Sequence, residues 1–103
     1  MNNLTLVGRL VRDPEITKVN DDQTIVTFDI ADQISSEKTQ YFKVYVSTNQ
    51  QKFVMDYLKK GVAVTIFGSI RENTYIDKNR ITRTNYRIYA NQIISTQGKK
   101  DDK

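Results

Sequence analysis

The chain has 103 residues, 38% of them apolar and 27% charged, which suits one folded domain with a single core. It has no cysteine and no histidine, so disulfides, thiol nucleophiles, histidine bases and Cys/His zinc sites are excluded. No apolar run approaches the roughly 20 residues of a membrane helix, and the first residues lack the basic and apolar regions of a signal peptide. We therefore expect a cytoplasmic protein that makes no contact with membranes.

The net charge of +4 is distributed unevenly along the chain. Residues 1–70 carry eight basic and eight acidic side chains, whereas residues 71–90 carry five basic and two acidic ones. A local excess of positive charge indicates a surface for a polyanion more specifically than a high isoelectric point does. The basic side chains of the second segment are Arg71, Lys78, Arg80, Arg83 and Arg87.

The first predicted strand, residues 3–11, has apolar side chains on both of its faces. Leu4 and Leu6 share one face, because successive side chains of a strand alternate. Val7 and Arg9 share the other face. A strand whose second face is covered by a partner subunit has this pattern. These four residues are therefore the candidate oligomer interface.

Residues 24–32 predict the second strand, because apolar and polar side chains alternate along them. The segment before it, residues 15–23, is polar and ends in a turn cluster, so we expect a loop there. Residues 33–40 are also polar and predict a second, shorter loop.

The third predicted strand, residues 41–47, carries two tyrosines with a lysine between them on one face and an ordinary apolar core face on the other. Nucleic acid suits the first face, because bases stack on aromatic rings and phosphates pair with ammonium groups. The alternative is a half-buried strand whose tyrosine and lysine side chains merely extend into solvent. The candidate contacts on this strand are Tyr41, Lys43 and Tyr45.

After the third strand, the apolar spacing becomes that of a helix of about three turns, which we place at residues 48–60. Thr48 and Gln51 have the spacing of a capping box at its start. Gly61 follows as the left-handed residue that ends it.

Two long strands follow at residues 62–76 and 81–94, joined by a turn at residues 77–80. Gly68 is expected to let the first of them bend. Polar and aromatic side chains alternate along both strands and, with the turn, form a basic hairpin. The candidate nucleic-acid contacts on this hairpin are Arg71, Asn73, Tyr75, Lys78, Arg80, Arg83 and Arg87.

Five strands with one helix between the third and the fourth are the arrangement of the OB-fold, an all-β, five-stranded Greek-key barrel. We expect residues 1–96 to form this domain and residues 97–103 to be a short disordered polar tail. In the OB-fold, the face of the middle strands and the loops joining strands 1–2 and 4–5 bind oligonucleotides. The third strand and the basic hairpin are therefore where this fold would place a nucleic-acid site.

Three segments resemble the family of bacterial and phage single-stranded DNA-binding proteins, in the order expected for that family. They are Asn-Leu-Thr-Leu-Val-Gly-Arg-Leu-Val-Arg-Asp-Pro-Glu at residues 3–15, Tyr-Leu-Lys-Lys-Gly at residues 57–61, and Phe-Gly-Ser-Ile-Arg at residues 67–71. The resemblance implies an OB-fold that binds and protects single-stranded DNA without strong sequence preference, in replication, recombination or repair. It also implies a homotetramer, with a dimer as the alternative.

The resemblance extends to individual positions. Tyr41 and Tyr75 stand where it implies stacking aromatic residues, and Lys43 stands at a basic position. Ser47 departs from the family, many members of which place a stacking Phe there, and the basic cluster before Tyr75 is thinner, so we expect weaker or differently tuned binding. The chain also lacks the Gly/Gln-rich linker and the acidic tail with which members recruit other proteins, so no such recruitment is expected.

Two other binding functions stay open on the sequence. One is a primosome-type OB-fold dimer that contacts replication proteins. The other is an RNA-binding OB domain, because base stacking does not distinguish the two sugars. We expect no enzyme, cofactor or metal, because the acidic residues fall in predicted turns or alternate with core residues and do not converge on a site.

Overall fold

The computed structural model describes residues 2–95, which form six strands, one short α-helix and a 3₁₀ turn. The elements in chain order are β1 (Leu4–Leu10), β2 (Glu15–Asn20), β3 (Gln23–Ser35), β4 (Lys38–Val46), the 3₁₀ turn (Thr48–Gln50), α1 (Gln51–Tyr57), β5 (Ala63–Ile76) and β6 (Thr82–Ser95). The predicted polar tail, residues 97–103, lies outside the described residues. No helix in the described part of the chain combines the length and the apolarity needed to cross a membrane.

Five of the strands close into a ring in the order β1, β5, β6, β4, β3, which confirms the predicted OB-fold barrel. The ring closes where β1 meets β3, with Arg9 paired to Ala31 and Leu10 paired to Ile30. Neighbouring strands of the ring run antiparallel, except that β4 and β6 run parallel. Closure gives every strand one face inside the barrel and one face outside it.

The barrel interior is filled by the apolar face of each strand. Among the largest side chains with 0% exposure are Val26, Ile30, Val44, Val64 and Ile66. Helix α1 adds Val54, and Leu58 follows directly after the helix; both are buried against the same core. Each buried side chain of this size stabilises the fold by about 1.5–3 kcal/mol relative to leaving it exposed.

Two glycines allow strands to approach more closely than any side chain would permit. A Cβ atom at Gly8 would lie 2.4 Å from the carbonyl oxygen of Ala31, at the point where β1 joins β3. A Cβ atom at Gly68 would lie 1.8 Å from the carbonyl oxygen of Tyr89. Both separations are steric overlaps, so glycine is required at each position for this packing.

The pairing of β5 with β6 is irregular at Gly68, where the sequence predicts a bend of β5. Phe67 pairs with Gln92, whereas Gly68 pairs with Ala90, so one residue of β6 is left without a partner. That residue is Asn91, which places the bulge on β6 and leaves the alternation along β5 uninterrupted.

The prediction of a loop at residues 15–23 is wrong, because the segment forms β2 and the turn of a β2–β3 hairpin. Every side chain of β2 is exposed, so the strand is held by backbone pairing and shows no alternation of apolar and polar residues. The sequence signal that could have indicated this strand was its content of β-branched residues, Ile16, Thr17 and Val19. β2 pairs with β3 alone and lies outside the ring.

The observed helix is shorter than the predicted one. A 3₁₀ turn precedes α1, and α1 ends at Tyr57. The predicted capping box is wrong, since neither segment has a side-chain cap hydrogen bond. Gln51 Nε2 instead donates to the carbonyl oxygen of Thr24 on β3 at 3.2 Å, which ties the helix to the barrel. Gly61 adopts the predicted left-handed φ, at +90°, but it does not end the helix, because α1 stops at Tyr57 and the extended Leu58 is its C-cap.

Candidate nucleic-acid interface

β5 and β6 extend beyond the barrel as a two-stranded hairpin. β1 accompanies β5 only as far as Gly68, and β4 pairs with β6 only at residues 88–90. The projecting part, residues 71–87, carries five basic and two acidic side chains and is called the basic arm below. At its base, the side-chain amide of Asn2 bonds to both backbone groups of Ile70, at 3.0 and 2.9 Å.

The candidate side chains on β4 and on the basic arm lie on one continuous outer face, because residues paired across strands point to the same side of a sheet. Tyr45 of β4 pairs with Tyr89 of β6, so the candidate side chains of β4 continue into those of the arm. Within the arm, the outward pairs are Arg71 with Arg87, Asn73 with Asn85, and Tyr75 with Arg83. Lys78 and Arg80 lie in the turn at the tip of the arm.

The centre of this face is a cluster of two tyrosines and two arginines, called the aromatic cluster below. The rings of Tyr45 and Tyr89 stack with their centroids 5.5 Å apart and their planes 29° apart. The guanidinium of Arg71 lies 4.5 Å from the centroid of Tyr89, and that of Arg87 lies 4.8 Å from the centroid of Tyr45. Each cation–π contact at an exposed site contributes about 0.5–1 kcal/mol, so the four groups hold one another in position.

Tyr89 is a member of the cluster that the sequence prediction did not include. Its position in the alternation of β6 was visible in the sequence. Its contact with Tyr45 was not, because that contact depends on the parallel pairing of β4 with β6.

Tyr41 and Tyr75 lie on the same face at some distance from the cluster and remain exposed, at 65% and 45%. Tyr41 lies opposite the small side chain of Ala31, and Tyr75 lies opposite Arg83. Within residues 2–95 neither ring stacks on another aromatic ring, so both have faces available to a flat ligand.

Lys43 lies directly opposite Asp29 on β3, which places a carboxylate beside a candidate phosphate contact. The guanidinium of Arg12, from the segment between β1 and β2, forms a hydrogen-bonded ion pair with that carboxylate. Arg12 offsets the negative charge of Asp29 and adds a second cation near Lys43. The sequence prediction missed Arg12, because only the folded chain brings it to β3.

The tip of the arm is organised by Asp77. Its Oδ1 accepts hydrogen bonds from the backbone N–H groups of Asn79 and Ile81, at 2.8 and 3.0 Å, and its Oδ2 accepts one from Arg83 Nε at 2.8 Å. The bond from Arg83 and then the backbone bonds hold the pKa of the Asp77 carboxyl below its usual value. Arg83 is therefore engaged in the arm itself, whereas Lys78 is exposed in the turn.

An open cleft of about 400 Å³ lies beside the aromatic cluster, where β4 ends and the 3₁₀ turn begins. The cluster forms one wall of the cleft, and Ser47 and Asn91 line it as well. Among residues 2–95 there is no group of three or more acidic side chains placed to hold a metal ion.

The candidate oligomer residues of β1 divide between the two faces of the strand. Leu6 is buried in the barrel core and Leu4 packs against it, so their side chains serve the fold of this chain. Val7 points outward with 57% exposure. Arg9 is also exposed, and its Nη1 donates to the carbonyl oxygen of Gly61 at 2.9 Å.

The chain is similar in sequence to bacterial single-stranded DNA-binding proteins. It is 28% identical to the one from Neisseria meningitidis serogroup A, over 99% of this chain and 63% of that protein. It is 31% identical to the one from Borreliella burgdorferi, over 77% of this chain and 58% of that protein. The aligned part therefore spans less than two thirds of the length of these relatives.

Two solved structures have the same fold. The SSB of Plasmodium falciparum in complex with ssDNA superposes with a TM-score of 0.77 at 24% identity, over 92% of this chain and 94% of that one. The mitochondrial single-stranded DNA-binding protein Rim1 of S. cerevisiae superposes with a TM-score of 0.73 at 19% identity, with the same coverage.

The family itself is shown by the profile of the Single-strand binding protein family, which matches residues 1–95. This match takes in all six strands, α1 and the outer face described above. The chain belongs to the Single-strand binding protein family.

Proposed function

We propose that the protein binds single-stranded DNA without strong sequence preference, by stacking bases on tyrosines and pairing phosphates with lysines and arginines. The observation that carries the proposal is the continuous outer face, on which exposed tyrosines alternate with basic side chains from β4 to the tip of the basic arm. Stacking tolerates any sequence, because every base has a flat face, and a basic groove follows the backbone. Family membership and the names of the bacterial relatives support the same function.

Each part of the face has a distinct role in this proposal. Tyr41 and Tyr75 provide the exposed stacking surfaces, whereas Tyr45 is already covered by Tyr89 and an arginine. Lys43 and the exposed basic residues of the arm would pair with the phosphates of the DNA strand. The description of this family names binding and no catalysis, in agreement with the expectation that the protein is not an enzyme.

We further propose that the protein protects single-stranded DNA during replication, recombination or repair, in the cytoplasm. We also propose a phage or plasmid origin, in line with the resemblance of the sequence to bacterial and phage single-stranded DNA-binding proteins. The names of the relatives support single-stranded DNA as the ligand.

Assembly into a homotetramer, or into a dimer as the runner-up, is part of the same proposal. The outward face of β1, β5 and β6 has exposed apolar side chains close together, namely Val7, Phe67 and Ile94 at 57%, 38% and 45% exposure, which we call the outer apolar patch. Within the described residues, positions 4–7 of β1 pair with β5 on one side and have no strand on the other. A second copy that pairs along this edge would use the backbone groups of Thr5 and Val7, because Leu10 bonds toward β5 and alternate residues of a strand bond to the same neighbour. Such pairing would bring two patches together about a two-fold axis.

The experiment that tests the function is the mass of the protein in solution, by light scattering, with and without a long oligo-dT. A complex with oligo-dT supports the proposal, and the mass of the free protein gives the number of subunits. A matched oligo-U separates DNA from RNA. Equal or tighter binding of oligo-U would favour an RNA-binding protein, and no complex with either strand would overturn the proposal.

A further inference from the structure

The basic arm leaves the barrel at the pair of Ile70 on β5 with Ile88 on β6. Ile88 is the outermost residue of β6 that still pairs with β4, opposite Val44. On the other edge, β1 pairs with β5 only as far as Gly68, yet Ile70 has a neighbour there, because Asn2 bonds to it. Within residues 2–95 this pair is therefore the last one before the arm that is supported on both sides.

The support on the β5 edge is a side chain in the place of a strand. Continuing the register of β1 and β5 two residues beyond the pair of Leu4 with Gly68 brings Asn2 opposite Ile70, at a position where two backbones would exchange hydrogen bonds. Instead, Asn2 Nδ2 donates to the carbonyl oxygen of Ile70 at 3.0 Å, and Asn2 Oδ1 accepts from its N–H at 2.9 Å. An asparagine side chain has an amide donor and an amide acceptor, as a peptide group does, so it completes this position of the sheet.

The place of this bracket determines where the arm can pivot. A two-stranded hairpin without further neighbours is only marginally stable in water, so the direction of the arm depends on its base. Without the bracket, the outermost supported residue of β5 would be Gly68, and glycine has the widest range of backbone conformations. Gly68 also lies beside the β6 bulge at Asn91, where the pairing of the two strands is already irregular. Asn2 therefore holds β5 one step beyond its weakest point.

The direction of the arm matters because the exposed stacking tyrosines lie on both sides of this base. Tyr75 is on the arm, whereas Tyr41 is on β4 in the barrel. A single strand that stacks on both needs the arm and the barrel in a fixed relation. An arm that is already held in position loses less freedom when the strand binds, which favours binding.

We propose that Asn2 is a positioning residue for DNA binding, whose side-chain amide fixes the direction in which the basic arm leaves the barrel. It acts through Ile70 and needs no contact with the strand, because its amide is already bonded to the backbone of β5. The inference rests on the proposed single-stranded DNA binding, to which it adds a residue that controls whether Tyr41 and Tyr75 can act together.

The first test uses the wild-type protein and measures amide hydrogen exchange, corrected for the intrinsic rate of each residue. The N–H groups of Ile70, Glu72 and Thr74 point to the same edge of β5, because alternate residues of a strand bond to the same side. No strand accompanies β5 along this edge beyond Gly68, so only Asn2 protects one of them. The Ile70 amide is expected to exchange more slowly than those of Glu72 and Thr74. Equal exchange at the three positions would overturn the bracket.

The second test measures the position of the arm directly. The chain has no cysteine, so spin labels can be attached at Asn79→Cys on the arm tip and Lys52→Cys on α1 without other sites reacting. Asn2→Ala is expected to broaden the distribution of distances between the labels. Asn3→Ala is the matched control, because within residues 2–95 its side chain makes no hydrogen bond, and it should leave the distribution unchanged. An unchanged distribution in a folded Asn2→Ala would overturn the proposal.

The third test is a binding cycle with oligo-dT. Asn2→Ala should weaken binding about twofold to tenfold, the range that corresponds to the net contribution of one hydrogen bond. Because the loss arises from the arm, Tyr75→Ala should cost less affinity in the Asn2→Ala background than in wild type, whereas the cost of Tyr41→Ala should be the same in both. A loss of stability alone would not produce this difference.

The outcomes separate the role of Asn2 from the function on which it rests. If the wild type binds oligo-dT and the folded Asn2→Ala binds equally well, the positioning role is overturned and the proposed function stands. The same holds if the effects of Asn2→Ala and Tyr75→Ala on affinity are additive. If the wild type does not bind oligo-dT, the proposed function fails and the role of Asn2 in binding fails with it.

Discussion

Tyr45 on β4 and Tyr89 on β6 pair in parallel register, and their rings stack with centroids 5.5 Å apart. The contact joins two strands that are far apart in the chain, across the one parallel pairing of the ring. The same two side chains therefore contribute both to the stability of the barrel and to the proposed binding face.

A double-mutant cycle measures this contact. Tyr45→Ala and Tyr89→Ala are each expected to lower the free energy of unfolding in urea, with a coupling of about 0.5–1.5 kcal/mol between them. Tyr86 lies on the opposite face of the basic arm with 64% exposure, so Tyr45→Ala and Tyr86→Ala should be additive. Additivity in the Tyr45/Tyr89 cycle would show that the stacked pair contributes nothing.

The exposed tyrosines of the outer face are expected to carry base stacking. Tyr41→Ala and Tyr75→Ala should each weaken oligo-dT binding by about 1–3 kcal/mol in a fluorescence titration and leave the protein folded. Tyr86→Ala is the control, because the Tyr86 side chain is as exposed as that of Tyr41 but faces away. If Tyr41→Ala and Tyr75→Ala both bind like wild type, the strand follows another surface.

The basic arm should give a charge-dependent affinity. The logarithm of the binding constant is expected to fall linearly with the logarithm of salt concentration, with each phosphate contact contributing roughly 0.7 to the slope. Lys78→Gln should reduce the slope by about that amount. Lys52→Gln is the control, because Lys52 lies on α1 and pairs with Asp56. A slope of zero for the wild type would rule out phosphate contacts as the source of affinity.

Asp77 should make the arm sensitive to acid. Because the Arg83 hydrogen bond and the backbone N–H groups of Ile81 and Asn79 lower the pKa of its carboxyl in the folded state, its contribution to stability is present above the unfolded pKa. That contribution is lost as the pH falls through the lowered folded pKa. Asp77→Asn is thus expected to lower the Tm at pH 7, and the difference from wild type should shrink at pH values below the usual 3.8.

The control for Asp77 is Asp22→Asn, since Asp22 lies in the β2–β3 turn and forms no ion pair within residues 2–95. Its Tm difference from wild type should not follow the same pH dependence. A Tm difference for Asp77→Asn that is the same at pH 7 and pH 3 would contradict the role of the charged carboxylate.

The outer apolar patch is expected to join subunits. Val7→Asp places a charge in its centre and should reduce the mass measured by light scattering to that of a smaller species. The same change should weaken binding to long oligo-dT more than to short oligo-dT, because linked sites raise avidity. Val19→Asp on β2 is the control, at a similar exposure of 51%. A wild-type monomer at tens of micromolar that still binds long oligo-dT tightly would contradict the assembly.

Alternation alone determined most of the barrel core, because successive side chains of a strand face opposite sides whatever the strand packs against. It assigned Val26, Phe28 and Ile30 to the interior, and the structure buries all three. The exposed β2 was missed for the same reason, since a strand with no buried face shows no alternation.

The proposed site was only partly determined by the sequence. Composition placed the positive charge on the hairpin, and alternation placed Tyr41, Lys43 and Tyr45 on one face of β4. The tertiary structure alone decided which groups meet there. Closing the ring brings Tyr89 against Tyr45, and the course of the chain after β1 brings Arg12 to Asp29. The physical reason is that side-chain direction is a local property of each strand, whereas the neighbours of a strand are set by long-range pairing.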